Sequence, residues 1–212
     1  MNGAFLFLPL PLGEGRGEGQ QVKRRVAVSV LTLWLLVANA ADLEVRAQGG
    51  RVTREEALAA VFPGAVVEAE RVFLTERQME EIAEIAGVEI ESALVARYVA
   101  TLGDTVLGRA YPDTHVVRTK RESLLISLEA DGSVRRVDVT AFLEPRDYLA
   151  AEPWLRQYDG RPLDDDLALQ RAIRPIAGAT LTANATNAAV RRVLATDQVL
   201  EAARTEPVTR CR

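Results

Sequence analysis

The spacing of apolar and polar positions changes character twice along the chain. From Thr53, TREEALAAVFPG sets Ala57, Leu58, Ala60 and Val61 at helical intervals behind a capping threonine with Glu56 three residues on, and Pro63-Gly64 stops the run. The same grammar returns at Thr75: Gln78 takes the box position, Met79, Ile82, Ile85 and Ala86 follow, and Gly87 ends it. Two short helices are predicted, with Glu76, Glu80, Glu81 and Glu84 forming a solvated face. From about Val95 the period becomes two. ALVARYVATLGDTVLGRAY and SLLISLEADGSVRRVDVTAF each place a turn dipeptide, Gly103-Asp104 and Asp131-Gly132, between strand-like runs. In the last run Val137, Val139 and Ala141 oppose Arg136, Asp138 and Thr140, so one sheet face is buried and the other is wet or locally covered. After Phe142 comes an irregular passage of roughly forty residues, a length that ordered loops seldom reach without a role. It leads into a helix from about Thr182 to Leu194 or beyond, with Thr196-Asp197 as a candidate interruption. The expected fold class is α+β: an antiparallel sheet of about four strands, an N-terminal helical segment and a C-terminal helix. The boundaries follow as 1–40 for an N-terminal extension with a signal, 41–94 for the helical segment, 95–203 for the main domain and 204–212 for a tail.

The segment ahead of these elements reads KRRVAVSVLTLWLLVANA over 23–40: three cations, an apolar run from Val26 to Val37, then Ala38-Asn39-Ala40. That is the layout of a secretory signal, too short in its apolar core for the ~20 residues of a spanning helix. Cleavage is expected near Ala40; a cut after Ala47 and retention as an anchor are the other outcomes the pattern allows. In each case the body faces outward, in the periplasm or on the outer face of the cytoplasmic membrane. Residues 1–21, with an apolar stretch broken by Pro9 and Pro11 and a Gly-rich GEGRGEG, resemble neither an n-region nor a domain, as if translation began at Val22.

The 212 residues carry 26 Lys and Arg against 30 Asp and Glu, a net charge of −4 with no basic block, which removes nucleic acid as a partner. Without residues 1–40 the balance is 22 against 28, because four cations and two carboxylates leave, and the net charge becomes −6. One cysteine, Cys211, and one histidine, His115, exclude a disulfide framework, Cys/His metal sites and haem attachment. No catalytic side chain and no metal site are expected. The Asp164-Asp165-Asp166 cluster lacks the spacing of a calcium loop and reads as an exposed turn.

The stretch with most chemical content is IAGATLT, from Ile176 to Thr182. Ala177, Gly178 and Ala179 let a bulky group approach the backbone, while the hydroxyls of Thr180 and Thr182 stand at the mouth of the following helix. A helix N-terminus offers free N–H groups and the positive end of a dipole, a seat for phosphate. The bland alternative is that Thr182 is an N-cap and the small residues a tight loop. Neither a P-loop nor a dinucleotide fingerprint is present.

Gly178-Ala179-Thr180 followed by Leu181-Thr182 and an alanine-rich helix resembles the motif of the FMN-binding domain family, which includes the small flavoprotein subunits of sodium-translocating NADH:quinone reductase and of Rnf-type complexes. The likeness in element order runs from roughly Ala100 to Leu194 and takes in Gly108, Glu144-Pro145, Trp154 and Tyr158-Asp159-Gly160. The resemblance implies that Thr180 carries FMN through a phosphoester installed by a flavin transferase, with Ala177, Gly178, Ala179 and Thr182 shaping the site. His115 and Trp154 are candidates to approach the ring, against the plainer readings of a partly exposed histidine on a polar connection and a core aromatic. Two positions depart from the family pattern: Ala177, where Ser or Thr is usual, and Arg174, where an acid is. Arg174 could pair with a phosphate directly, which would favour non-covalent FMN. The implied function is an electron carrier more than an independent enzyme, exchanging electrons with redox partner proteins or a membrane oxidoreductase complex of a respiratory chain. The competing classes are an exported scaffold module of the same fold without flavin, and a component of a flavin-dependent reductase of a small molecule.

Overall fold

The computed structural model describes residues 53–205, so the signal-like segment and Cys211 lie outside the described residues. Helix α1 (Arg54–Val61) and helix α2 (Glu76–Ala86) begin with the anticipated capping boxes. Thr53 Oγ1 accepts the Glu56 N–H and Glu56 returns a carboxylate to the Thr53 N–H; Thr75 and Gln78 repeat the exchange. Between the helices runs a strand, β1 (Val66–Phe73), and β2 (Leu94–Leu102), β3 (Thr105–Val116), β4 (Arg121–Glu129) and β5 (Val134–Phe142) follow. All five form one antiparallel meander in chain order.

The fold is α+β, as the pattern implied, but the sheet has five strands where about four were expected, and it crosses the boundary placed at residue 94. Strand β1 escapes a period-two reading because it is an edge strand whose half-buried positions, Val67, Glu70 and Val72, do not alternate and include a carboxylate. Glu70, on that strand, receives Arg97 from β2. Nor does the last helix begin at Thr182 or break at Thr196-Asp197. Helix α4 runs unbroken from Thr180 to Thr205, because Asp197 is buried against Arg109 and Thr196 turns its hydroxyl back to the Arg192 carbonyl. His115, expected just past a strand end, lies within β3, and only 117–120 turn the chain into β4.

The two sheet faces are covered by different elements. Ala110, Leu125 and Ala100 pack with Ala57, Leu58, Val61 and Phe62 of α1 and its C-terminal residue. On the opposite face Tyr111, Leu124, Ile126 and Leu128 meet Ala189, Val190, Val193 and Leu194 of α4. The irregular passage closes that second core with Ala150, Leu155, Tyr158, Leu167 and Ile173, and it contains the single-turn helix α3 (Glu152–Leu155). Strand β4 is therefore buried on both sides over most of its length. Helix α2 packs along the C-terminal half of α4 through Ile82, Ala86, Ala195 and Val199.

One local feature creates the cleft described below. Strand β2 pairs with β1 along its whole length, but with β3 only from Tyr98 onward, opposite Ala110. Leu94–Arg97 and Tyr111–Val116 therefore part company. Pro112 sits on the separated edge of β3, where its missing N–H leaves no ladder bond unmade. The divergence begins just beyond Gly108, which faces the register shift between Ala100 and Thr101. A Cβ at Gly108 would meet the Leu128 carbonyl oxygen and the Phe62 ring. Replacement Gly108→Ala is expected to lower stability by about 2 kcal/mol or more, since backbone rather than a flexible side chain must move. A denaturant midpoint unchanged in that variant would contradict this packing.

Candidate functional site

Thr180 is the first residue of α4 and is exposed, as are Ala177 and Gly178 ahead of it, whereas Ala179 is 3% exposed and inserted into the fold. Gly178 adopts φ +80 in open surroundings, so backbone conformation rather than crowding selects glycine there. The Ala179 N–H closes a turn on the Ile176 carbonyl, and the Ala183 N–H bonds to the Ala179 carbonyl. The amides of the first turn thus precede the helical ladder and point out of its end. Thr180 stands at that mouth. Thr182 does not: its side chain is 1% exposed and its hydroxyl donates to the Tyr148 carbonyl at 2.7 Å, which fastens the helix to the irregular passage. The pairing of two free hydroxyls at the helix start is corrected to one.

Trp154 braces the loop before the motif. Its indole N–H donates to the Arg174 carbonyl, and its ring meets Tyr158 edge-on at 5.6 Å between centroids. Gln157 accepts the Arg174 N–H, and Tyr158 donates to Asn187 Oδ1. Arg174 itself is exposed on that loop. Together these contacts fix the approach of Ile176–Ala179 to α4.

Large apolar side chains are left exposed at two places, the start of α4 and the β3–β4 turn. Leu181 is 52% exposed, beside Thr182 with its hold on Tyr148, itself 38% exposed. Leu143 donates its N–H to the Arg121 carbonyl, and Arg121 pairs with Val116 across the β3–β4 turn; both Leu143 and Val116 are about half exposed.

From there a cleft of about 750 Å³ extends between the separated halves of β2 and β3, roofed by α4. Ala185, Ala188, Arg192 and Thr196 line the roof, continuing the helical row that starts at Leu181. His115 stands on the wall with Asp113 and Arg121, and Glu89 and Glu91 lie on the α2 side. His115 Nδ1 is 2.8 Å from Asp113 Oδ1, and Nε2 is 3.1 Å from Glu122 Oε2. Arg192 grips Asp113 with Nε and Nη2, and Thr186 donates toward Glu122. The Glu122 side chain is fully buried, with Oε1 lacking a hydrogen-bond partner among the described residues. The sequence singled out His115 but not the groups that hold it. Asp113, two residues earlier on the same strand face, was legible in principle; Glu122 required the hairpin register, and Arg192 and Thr186 required the helix docked.

Burial disfavours a charged His115, yet the hydrogen bonds to Asp113 and Glu122 and their negative charge outweigh it and raise the imidazole to about 9. Burial likewise opposes ionisation of Asp113, and the contacts with His115 and Arg192 hold its carboxyl below the ordinary range. A histidine raised in the folded state contributes stability that is complete below its unfolded value of about 6.5 and disappears as pH rises through the folded value. Wild-type stability is therefore expected to fall between about pH 6.5 and about 9, a decline that His115→Gln abolishes. Urea midpoints across that range, measured on both proteins, check it; parallel curves would refute the charged pairing.

Comparison with known proteins adds little by sequence: no family model matches the chain, and no curated protein matches it. Among solved structures, the crystal structure of Shewanella oneidensis NqrC is similar, with 12% sequence identity, a TM-score of 0.43, and coverage of 69% of this chain and 89% of that one.

Proposed function

We propose that this protein is an exported electron carrier that bears FMN on the Thr180 hydroxyl and exchanges electrons with partner proteins, among them a membrane oxidoreductase complex, at the outer face of the cytoplasmic membrane. The observation that carries the reading is the isolation of one exposed hydroxyl, Thr180, on the first turn of a 26-residue helix, two residues after a glycine at positive φ. The resemblance of Gly178-Ala179-Thr180 and the element order around it to FMN-binding domains names the ligand that such a hydroxyl would hold. Export rests on the signal-like segment over 23–40.

The residues present suit the group. A phosphate on Thr180 Oγ1 would meet the first-turn amides and the positive end of the helix dipole, with Arg174 on the adjoining loop. Leu181, Tyr148, Leu143 and Val116 offer apolar surface to a ring, and the small Ala185 and Ala188 leave the cleft open beside them. Bound there, the flavin supplies the redox chemistry, and the chain's own part is to anchor it, orient it and tune its surroundings. No side-chain nucleophile, acid or base is called for, in keeping with a chain that has one cysteine and one histidine.

Attachment exchanges the threonine proton and one phosphate hydroxyl for an O–P bond, so the mass rises by FMN less one water. Protein produced with a flavin transferase is expected to be yellow, to keep its flavin through denaturation, and to show that mass. Thr180→Ala should lose the retained flavin while its stability stays within about 0.5 kcal/mol of wild type, the side chain being exposed. Flavin kept after denaturation in that variant would remove Thr180 as the attachment point. Flavin lost on denaturation of the wild type would mean non-covalent binding, and a colourless protein would leave a scaffold module.

A further inference from the structure

The cleft wall contains a charge arrangement that anchoring a phosphate does not require. Both ring nitrogens of His115 lie at hydrogen-bond distance from carboxylate oxygens, Asp113 Oδ1 at 2.8 Å and Glu122 Oε2 at 3.1 Å. Where both carboxylates are ionised they only accept hydrogen bonds, so satisfying both contacts then has both nitrogens donate, and an imidazole with two N–H groups is a cation. The ring cannot turn away from either partner. Asp113 is clamped by Arg192 from α4, and Glu122 is fully buried beneath Thr186. The groups around His115 come from every neighbouring element: Asp113 from β3, Glu122 and Arg121 from β4, Arg192 and Thr186 from α4, and Glu89 and Glu91 across the cleft. Glu122 touches His115 from behind the wall, so this wall carries His115, Arg121 and Arg192 against two carboxylates, Asp113 and Glu122, while Glu89 and Glu91 line the cleft from the segment after α2. The cleft is polarised, with its positive wall next to the end of the sheet where Arg121, Val116 and Leu143 meet.

We propose that His115, fixed as a cation by Asp113 and Glu122, acts with Arg121 to stabilise negative charge on the reduced flavin ring lying along Leu181, Ala185 and Ala188. The inference rests on the FMN reading above. Reduction by an electron-donating partner protein brings two electrons, and solvent brings one proton, so the ring gains one net negative charge. The row from Leu181 to Ala188 rises about 10 Å along the helix, within the span of a ribityl chain and ring tethered at Thr180. A cation facing that charge favours the reduced form, so the positive wall raises the reduction potential.

The test compares flavin-loaded, full-length wild type with His115→Gln and Arg121→Gln by spectroscopic redox titration from pH 6 to 10. Gln at 115 keeps hydrogen-bonding capacity without the charge, and Arg121 is exposed, so its variant retains the fold if His115→Gln does not. At pH 7 each variant is expected to shift the oxidised-to-reduced ratio at a fixed poise roughly tenfold toward oxidised, the influence of one nearby unit charge. The difference between wild type and His115→Gln should close above about pH 9, where the imidazole loses its proton. In the unloaded protein, NMR titration of the His115 ring should show a raised value that falls in Glu122→Gln. A yellow protein whose potential is the same in both variants overturns this inference and leaves the FMN reading standing; a colourless protein overturns both. An imidazole titrating at its ordinary value in the unloaded protein overturns the fixed cation.

Discussion

The position of helix α4 on the sheet depends on two buried arginines. Arg97 on β2, 1% exposed, reaches Glu70 on β1 and Glu201 on α4, each at 2.8 Å, and contacts the Tyr111 hydroxyl. Arg109 on β3 grips Asp197 of α4, whose carboxylate also receives the Tyr111 hydroxyl at 2.7 Å. Despite burial, the hydrogen bonds to the Tyr111 hydroxyl and to the Glu201 and Glu70 carboxylates raise the proton affinity of Arg97 further; burial and the Asp197 charge hold Tyr111 neutral. Such a network adds little net stability beyond an apolar packing of the same shape, but removing one member strands its partner at about 3–5 kcal/mol. Its value is geometric. Charged forks at Arg97 and Arg109 permit one rotation and one axial position of α4, and the apolar stripe of Ala189, Val190 and Val193 alone would tolerate neighbouring ones.

That constraint propagates toward the other end of the helix. With the C-terminal half locked, the row Leu181, Ala185, Ala188 and Arg192 must face the opening between β2 and β3, and Thr182 must meet the Tyr148 carbonyl. The opening itself comes from strand geometry: β2 stays with β1 while β3 stays with β4, and the ladder between them stops at Tyr98 and Ala110. A closed five-stranded ladder would bury these edges and leave no cleft. The fold gives up several backbone pairings there and keeps the separated walls apart with polar groups, His115 and Asp113 on one side and Ser92 and Glu91 on the other.

Much of the local structure was legible along the chain and little of the assembly was. Capping boxes at Thr53 and Thr75, the turn dipeptides at Gly103 and Asp131, and the small-residue approach to α4 are encoded within a few residues of where they act. Strand β1 was missed because VVEAERVF owes its strand to partners on β2 and to the salt bridge from Arg97, neither of which is local. The unbroken α4 was missed for the same reason, since Asp197 reads as a helix breaker until Arg109, 88 residues away, is brought to it. At the candidate site Thr180 could be found by motif and His115 by its rarity. Glu122, Arg192 and Arg121 look like ordinary surface charges until β3, β4 and α4 are assembled.

The helix thereby divides its work by length. A seat for a phosphate needs only its first turn, and a core stripe needs only the two or three turns over β4, yet α4 continues to Thr205. The extra turns carry Asp197 and Glu201, the two carboxylates that engage the buried arginines, and Ala195, Val199 and Leu200, which hold α2. They place the anchoring charges at the far end of the rod from Thr180, about 26 Å along the axis for residues 180 to 197. Within one helix the separation keeps two kinds of electrostatics apart: saturated pairs buried around Asp197, and unspent helix dipole with exposed hydroxyl at Thr180. Cationic His115 and Arg192 sit between, close enough to the cleft to act on its contents and tied tightly enough to carboxylates to stay charged while buried.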